Sequence, residues 1–161
     1  MNTSEEIFRE RFLPLYPRLF AAANAILGNR DDAADAVQDA MVKIWNRANE
    51  LQAIASPIGF ALQLVKTSAI DILRQRRLNA VKQPDFVEPA AEPAAEPDTS
   101  DFMRRAIATL PAGQQEAIRL SAFAGMDSDD IAETMGLSKV NVRQLLSRGR
   151  RKLREIYQKN M

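Results

Sequence analysis

Asp127-Ser128-Asp129-Asp130-Ile131-Ala132-Glu133-Thr134-Met135-Gly136-Leu137-Ser138-Lys139-Val140-Asn141-Val142-Arg143-Gln144-Leu145-Leu146-Ser147-Arg148-Gly149-Arg150-Arg151-Lys152-Leu153-Arg154-Glu155 reads as two helices joined by a tight turn. Ser128 is placed to cap the first helix, with Asp129 and Asp130 in the opening turn, where acids favour the positive end of the helix dipole. Gly136 supplies the left-handed residue that ends it, and Ser138 caps the second helix two residues later. A small residue at Ala132 leaves room for the second helix, whose buried seam is expected at Val142, Leu145 or Leu146, and Leu153. From Ser138 to Met161 there are eight basic residues and one acid, a local charge of +7. A second helix of this kind presents its early residues to base edges in the major groove. Lys139, Asn141, Arg143 and Gln144 occupy that end; Arg148, Arg150, Arg151, Lys152 and Arg154 then lie nearer phosphates. The simpler reading, two amphipathic helices with a solvated basic face, does not account for turn, seam and charge falling in register.

The 161-residue chain as a whole carries a net charge of only +1, so the part outside this stretch is acidic and the two ends are suited to different partners. With no cysteine and no histidine, disulfides, zinc fingers, iron-sulfur clusters, imidazole catalysis and cysteine nucleophiles are excluded. Neither cofactor nor metal is expected. No signal-like segment or apolar run of about 18 residues occurs, which implies a soluble cytoplasmic protein with no membrane insertion.

Helical periodicity covers the amino-terminal half. Ile7, Phe8, Phe12, Leu15, Tyr16, Leu19, Phe20, Ala23, Ile26 and Leu27 form one stripe, interrupted early by Pro14 and Pro17 and closed by Gly28-Asn29. Asp31 or Asp32 opens the next helix, with Ala33, Ala36, Val37, Ala40, Met41, Ile44 and Ala48 inward. Ser56-Pro57 starts a third, burying Ala61, Leu64, Val65, Ala69, Ile72 and Leu73 and ending in Arg74-Gln75-Arg76-Arg77. From Asn79 to Thr99 the periodicity stops. Glu88-Pro89, Glu92-Pro93 and Glu96-Pro97 recur among alanines, five acids oppose Lys82, and the segment reads as a stiff, extended linker of charge −4. Ser100 caps a helix with Phe102, Met103, Ala106, Ile107 and Leu110 as its stripe; another, around Gln114 to Ala124, buries Ala117, Ile118, Ser121 and Ala122. No strand pattern appears. The fold class is therefore all-α, two small helical domains joined by a Pro/Glu/Ala-rich linker, the second containing the helix-turn-helix.

Three stretches together resemble the small bacterial RNA polymerase sigma factors of the extracytoplasmic-function group. Gly28-Asn29-Arg30-Asp31-Asp32 through Lys43-Ile44-Trp45 is similar to the family's polymerase-clamping helix. Ser56-Pro57-Ile58-Gly59-Phe60 through Arg74-Gln75-Arg76-Arg77 is similar to its minus-10 helix. Leu110-Pro111 with the motif above looks like its minus-35 reader. The resemblance implies three domains of use: 1–78 for core polymerase and the minus-10 element, 79–99 as an acidic linker, and 100–161 for the minus-35 element. It implies polymerase contact by Asp32, Asp35, Gln38, Asp39, Lys43 and Trp45, although Trp45 taken alone reads equally as a core residue. It implies minus-10 contact by Ser56, Lys66, Asp71, Arg74, Arg76 and Arg77, with an extruded base received by the loop from Asn49 to Ser56. It implies minus-35 contact by Ser138, Lys139, Asn141, Val142, Arg143, Gln144, Ser147, Arg148, Arg150 and Arg151.

The partners implied are core RNA polymerase, promoter DNA and an anti-sigma factor, the chain carrying no sensor domain of its own. Where the family usually has an acid, an aromatic, Trp, Arg-Asn and Ala, this chain has Ala34, Met41, Phe60, Lys66-Thr67 and Gly149. The last is a point at which the recognition helix is expected to bend, since glycine costs about 1 kcal/mol relative to alanine in a helix. Two other readings remain at this stage, both non-enzymatic like the first: a helix-turn-helix regulator that works without polymerase, and a sigma mimic that titrates an anti-sigma factor.

Overall fold

Two prolines shape the first element of the protein, for which a computed structural model describes residues 3–82 and 99–160, with backbone alone at 80–82 and 99–101. Helix α1 (Ser4–Ile7) opens with a reciprocal capping box between Thr3 and Glu6. The chain then widens into a π-helical turn at Phe8–Phe12 and tightens into a 3-10 turn at Leu13–Leu15 before α2 (Tyr16–Leu27) begins. Proline lacks an N–H and its ring clashes with the preceding turn, so a regular helix cannot run through Pro14. Pro17 falls in the first turn of α2, where no intrahelical N–H is required. Gly28, at φ 65°, ends α2.

Asn29, rather than Asp31 or Asp32, caps α3 (Arg30–Asn46): its side chain accepts from the Asp32 N–H at 3.0 Å, and both acids lie in the first turn. An amide one residue after the glycine reaches that N–H, which leaves the aspartates to the dipole. Ala33, Ala36, Val37, Ala40, Met41 and Ile44 are all buried, a seam whose three alanines let α3 lie close to α2. Ala48, also buried, belongs to the turn after α3. The Arg11 guanidinium donates to the carbonyls of Leu51 at 3.1 Å, Ile54 at 2.7 Å and Gln52, tying the loop before the next helix to the π-helical turn. Ser56 caps α4 (Pro57–Lys82), its hydroxyl accepting from the Gly59 N–H at 3.2 Å. Ala61, Val65, Ser68, Ala69 and Leu73 face inward.

Contacts divide the chain into two compact units, 1–75 and 76–161, so the division falls inside α4, which continues through Lys82. The rest of the Pro/Glu/Ala stretch lies outside the described residues. Helix α5 (Thr99–Ala108) begins one residue ahead of the expected cap Ser100. Its stripe buries Ala106 and Ile107, with Leu110 beyond its end, whereas Met103 is exposed. Pro111 occupies the cap position of α6 (Ala112–Ala122), and the Gln115 amide donates to the carbonyls of Ala108 and Leu110, closing the corner that proline leaves without a donor. In α6 the inward residues are Ala117, Ile118, Arg119 and Leu120; Ala122, expected inside, is exposed. This helix packs against α5, α7 and α8 together, so its broad buried face takes the larger Leu120. Among the described residues there is no strand, and no helix is long and apolar enough to cross a membrane.

Candidate nucleic-acid interface

Asp127, not Ser128, caps α7 (Ser128–Met135): its carboxylate accepts from the Asp130 N–H at 2.9 Å, and Ser128 is the first helical residue. The carboxylate adds charge to the capping hydrogen bond, which explains its preference over the hydroxyl one residue on. Gly136 ends α7 at φ 66°, and the Ala132 carbonyl accepts from Gly136 and from Leu137, the latter at 3.0 Å. Ser138 then caps α8 (Lys139–Lys159), accepting from the Asn141 N–H at 3.1 Å. The residues that seat the two helices are Ile131 and Thr134 on α7 and Val142, Leu146 and Gly149 on α8, all buried. Ala132 is only half-buried and contributes its carbonyl to the turn rather than clearance between helices.

Gly149 does not bend α8, which is continuous across it. A Cβ there would stand 3.0 Å from Cγ1 and 3.3 Å from Cδ1 of Ile118, so glycine is present because α6 lies against α8 at that point. Val142 is fully buried in the same seam and so cannot touch a bound duplex; it supports the reading helix from behind.

Of the other expected contacts, Ser138, Lys139, Asn141, Arg143, Gln144, Ser147, Arg148, Arg150 and Arg151 are all exposed. Lys139 is ion-paired to Asp129 on α7 at 3.1 Å, and the Arg150 guanidinium donates to the Ser121 hydroxyl at 3.1 Å. Val140, 61% exposed in the first turn of α8, is a candidate site residue that the sequence reading did not name. At about 100° per residue it shares a face with Arg143, Gln144 and Ser147.

In the first unit, the buried side of α3 leaves Asp35 and Val42 at the centre of the opposite face. Gln38 and Trp45 lie on one flank, Asp39 and Lys43 on the other. Val42 is 53% and Trp45 46% exposed, and the Trp45 ring meets Phe8 edge-to-face at 5.3 Å. Trp45 is thus no core residue, and Val42 is a further apolar member of this face that the sequence reading omitted. Asp32 is half-buried near the cap. Asp39 is anchored twice, by the Ser68 hydroxyl at 2.7 Å and the Lys43 ammonium at 3.1 Å. Those hydrogen bonds, Ser68 first, hold its carboxyl below the usual range.

Along α4, Asp71, Arg74 and Arg77 are exposed, Lys66 is half-buried, and Ser56 is engaged as a cap. Arg76, half-buried, lies about 200° around the helix from Arg74, so the arginine cluster does not form one face. Arg47 lies over the Phe60 ring at 5.5 Å, fixing the aromatic at the start of α4.

Comparisons with known proteins find a family model matching each part of the chain. Residues 12–78 match the model of sigma-70 region 2, and residues 103–153 match that of sigma-70 region 4. The chain is similar to the ECF RNA polymerase sigma factor SigM of Mycobacterium tuberculosis, 25% identical over 146 residues that cover 91% of this chain and 74% of that protein. It is 31% identical over 144 residues to a probable RNA polymerase sigma factor, RfaY, of Xanthomonas campestris pv. campestris, covering 82% of this chain and 36% of that one. Among solved structures, the sigma factor RpoE of Bartonella quintana, crystallised with the anti-sigma factor NepR, superposes with a TM-score of 0.56 at 26% identity over 94% of this chain and 96% of that chain.

Proposed function

Because this chain belongs to the sigma-70 family, in its extracytoplasmic-function group, and is a promoter-specific initiation factor that works with RNA polymerase, we propose which of its surfaces perform each step. The exposed face of α3, with Asp35 and Val42 at its centre, Gln38 and Trp45 on one flank and Asp39 and Lys43 on the other, binds core polymerase. It pairs an apolar patch with flanking charge, the composition suited to a protein partner. Asp32 acts at the start of that helix through its charge. The solvent side of α4, with Lys66, Asp71, Arg74 and Arg77, meets the minus-10 element, and the Arg11-tied loop before Ser56 receives the extruded base. Arg76 contributes at its edge.

The observation that carries the DNA assignment is the exposed basic face of α8, set one αL glycine and one serine cap after α7. Asn141, Arg143, Gln144 and Ser147 read bases in the minus-35 element, Val140 adds an apolar contact, and Arg148, Arg150 and Arg151 hold phosphates. The working domain limits are 1–78 and 100–161, with 79–99 joining them.

The sigma-factor family is not enzymatic in general, and the role proposed for this chain is binding. It acts in the cytoplasm, where polymerase is. The likeness to RpoE, crystallised with an anti-sigma factor, makes a protein of that class the regulatory partner. Titrating the chain against core polymerase, and the binary complex against promoter duplexes, tests this reading. Tight core binding followed by promoter selection supports it. Selection of a duplex by the chain alone, with no affinity for core, would instead indicate a free-standing helix-turn-helix regulator.

A further inference from the structure

We infer that Arg11 is a positioning residue for the minus-10 step: it holds the loop from Asn49 to Ser56 in the shape that captures an extruded base, although it lies on none of the contact surfaces. The inference rests on the minus-10 reading of that loop and adds the element that shapes it. The guanidinium reaches the loop from behind. Its Nη1 donates to the carbonyls of Leu51, at 3.1 Å, and of Gln52, and its Nη2 to the carbonyl of Ile54 at 2.7 Å. Three peptide groups within four residues are thereby turned toward one side chain. Leu51 is buried beside them, whereas Gln52, Ala53 and Ala55 are exposed. A second tether, from the Ser4 hydroxyl to the Asn49 side-chain oxygen at 2.7 Å, fixes the start of the loop, and the Ser56 cap fixes its end.

The π-helical turn at Phe8–Phe12 aims Arg11 at the loop. The Leu13 N–H donates to the Phe8 carbonyl, five residues back, which closes the wide turn. Ile7 and Phe12, also five residues apart, are 1% and 0% exposed. In an α-helix five residues turn through about 140°, so one of two such side chains would leave the core. The wider turn brings both to one side. An α-helical register that kept Ile7 buried would carry Phe12 outward and swing Arg11 with it, away from the loop.

Fixing the backbone of one residue costs a factor of about ten in an equilibrium constant. A loop that becomes ordered only when the base arrives carries that factor for each residue it must fix, whereas a loop already held by Arg11 does not. Arginine suits the task because its planar fork spans acceptors on two sides. A lysine ammonium at the same place keeps the charge but gathers its donors on one atom. Among the described residues Arg11 is in no ion pair, so its charge also lies beneath a loop that meets a DNA strand. Arg11→Lys preserves that charge and removes the fork, which separates shape from electrostatics.

The test uses holoenzyme assembled from core polymerase and the full chain, titrated with a promoter duplex already unpaired across the minus-10 element, so that melting does not enter. Abasic sites are placed one at a time along each unpaired strand. In the parent, one abasic position should weaken binding more than its neighbours do, which marks the captured base. Arg11→Lys and Arg11→Ala should bind the intact duplex about tenfold more weakly than the parent, yet match the parent on the duplex abasic at that position, where no base is left for the loop to hold. Ser4→Ala should show a smaller loss at the same position. Arg9→Ala, which removes an exposed charge from the same segment without touching the loop, should reproduce the parent. An abasic profile in Arg11→Lys that coincides with the parent's would overturn the assignment. So would an equal loss on every duplex together with weaker core binding, since Arg11 would then be holding the fold as a whole. A parent with no sensitive position would remove the minus-10 reading and this inference with it; a sensitive position shared unchanged by the Arg11 variants would remove this inference alone.

Discussion

Asp39, proposed for the polymerase face, is also a structural contact, and its surroundings set how that contact responds to acid. The Ser68 hydroxyl, then Lys43, stabilises the ionised carboxylate in the folded chain. Folding therefore favours loss of the proton. The stabilisation is fully present above the ordinary carboxylate pKa, about 3.9 for aspartate in an unfolded chain, and is lost as pH falls through the lowered folded value. Ser68→Ala should weaken the acid dependence of stability in that window, as read by denaturant melts at stepped pH; an acid limb identical to the parent's would contradict the clamp. The same bond warns that charge reversal at Asp39 disturbs the α3–α4 contact as well as any polymerase contact. Val42→Ala and Trp45→Ala avoid that ambiguity, and each should weaken core binding by about 1 to 2 kcal/mol with the melting curve little changed. Unaltered affinity in a core-polymerase titration would remove α3 from the interface. On α8, Arg143→Ala should cost about 1 to 3 kcal/mol of minus-35 affinity if its guanidinium spans a base edge, and Lys139→Ala less, because Lys139 is already shared with Asp129. Equal losses in duplex titrations would overturn that ranking. The exposure of Arg143 was legible from its place near the start of α8, whereas Trp45 read equally as a core residue and its exposure is seen only in the structure. Val140 and Val42 were named neither in the buried seams nor among the contact residues, because an apolar side chain carries no polar signal that marks an exposed face.

At the scale of elements, caps and close approaches decide how well the motif is held. Asp127→Ala and Ser138→Ala each remove a side-chain acceptor from a helix start and should destabilise the carboxyl-terminal unit by about 1 kcal/mol, measured by chemical denaturation of the full chain. Ser128→Ala, by contrast, should leave stability nearly unchanged. The reverse order would restore Ser128 as the cap. Gly149→Ala should fall well short of the ~1 kcal/mol that alanine adds in an open helix, because its methyl group would press on Ile118. A full gain would show that α6 yields freely. Sequence spacing located both motif helices, the αL glycine and the second cap. It misplaced the first cap by one residue, because adjacent aspartate and serine are both good caps and only the backbone path chooses between them. The crowding at Gly149 was invisible, since α6 approaches from thirty residues away in the chain.

For the whole molecule, the all-helical character and the two-part organisation were readable from periodicity and from the charge asymmetry between the ends. The limits of the parts were less so. Asn79 marks a change in composition, yet residues 79–82 remain in α4, and contacts divide the chain at Gln75. Leucine, alanine and lysine sustain a helix after its packed stripe has ended, so composition and contact place the boundary differently. The central claim is that one chain joins core polymerase and chooses promoters for it, and run-off transcription from a promoter library by core polymerase, with and without the protein, tests it most directly. The account predicts defined transcripts that appear only when the protein is added and that are lost both with Trp45→Ala at limiting protein and with Arg143→Ala. The same transcripts from core polymerase alone, or none in the presence of the protein while it binds a duplex by itself, would contradict the account.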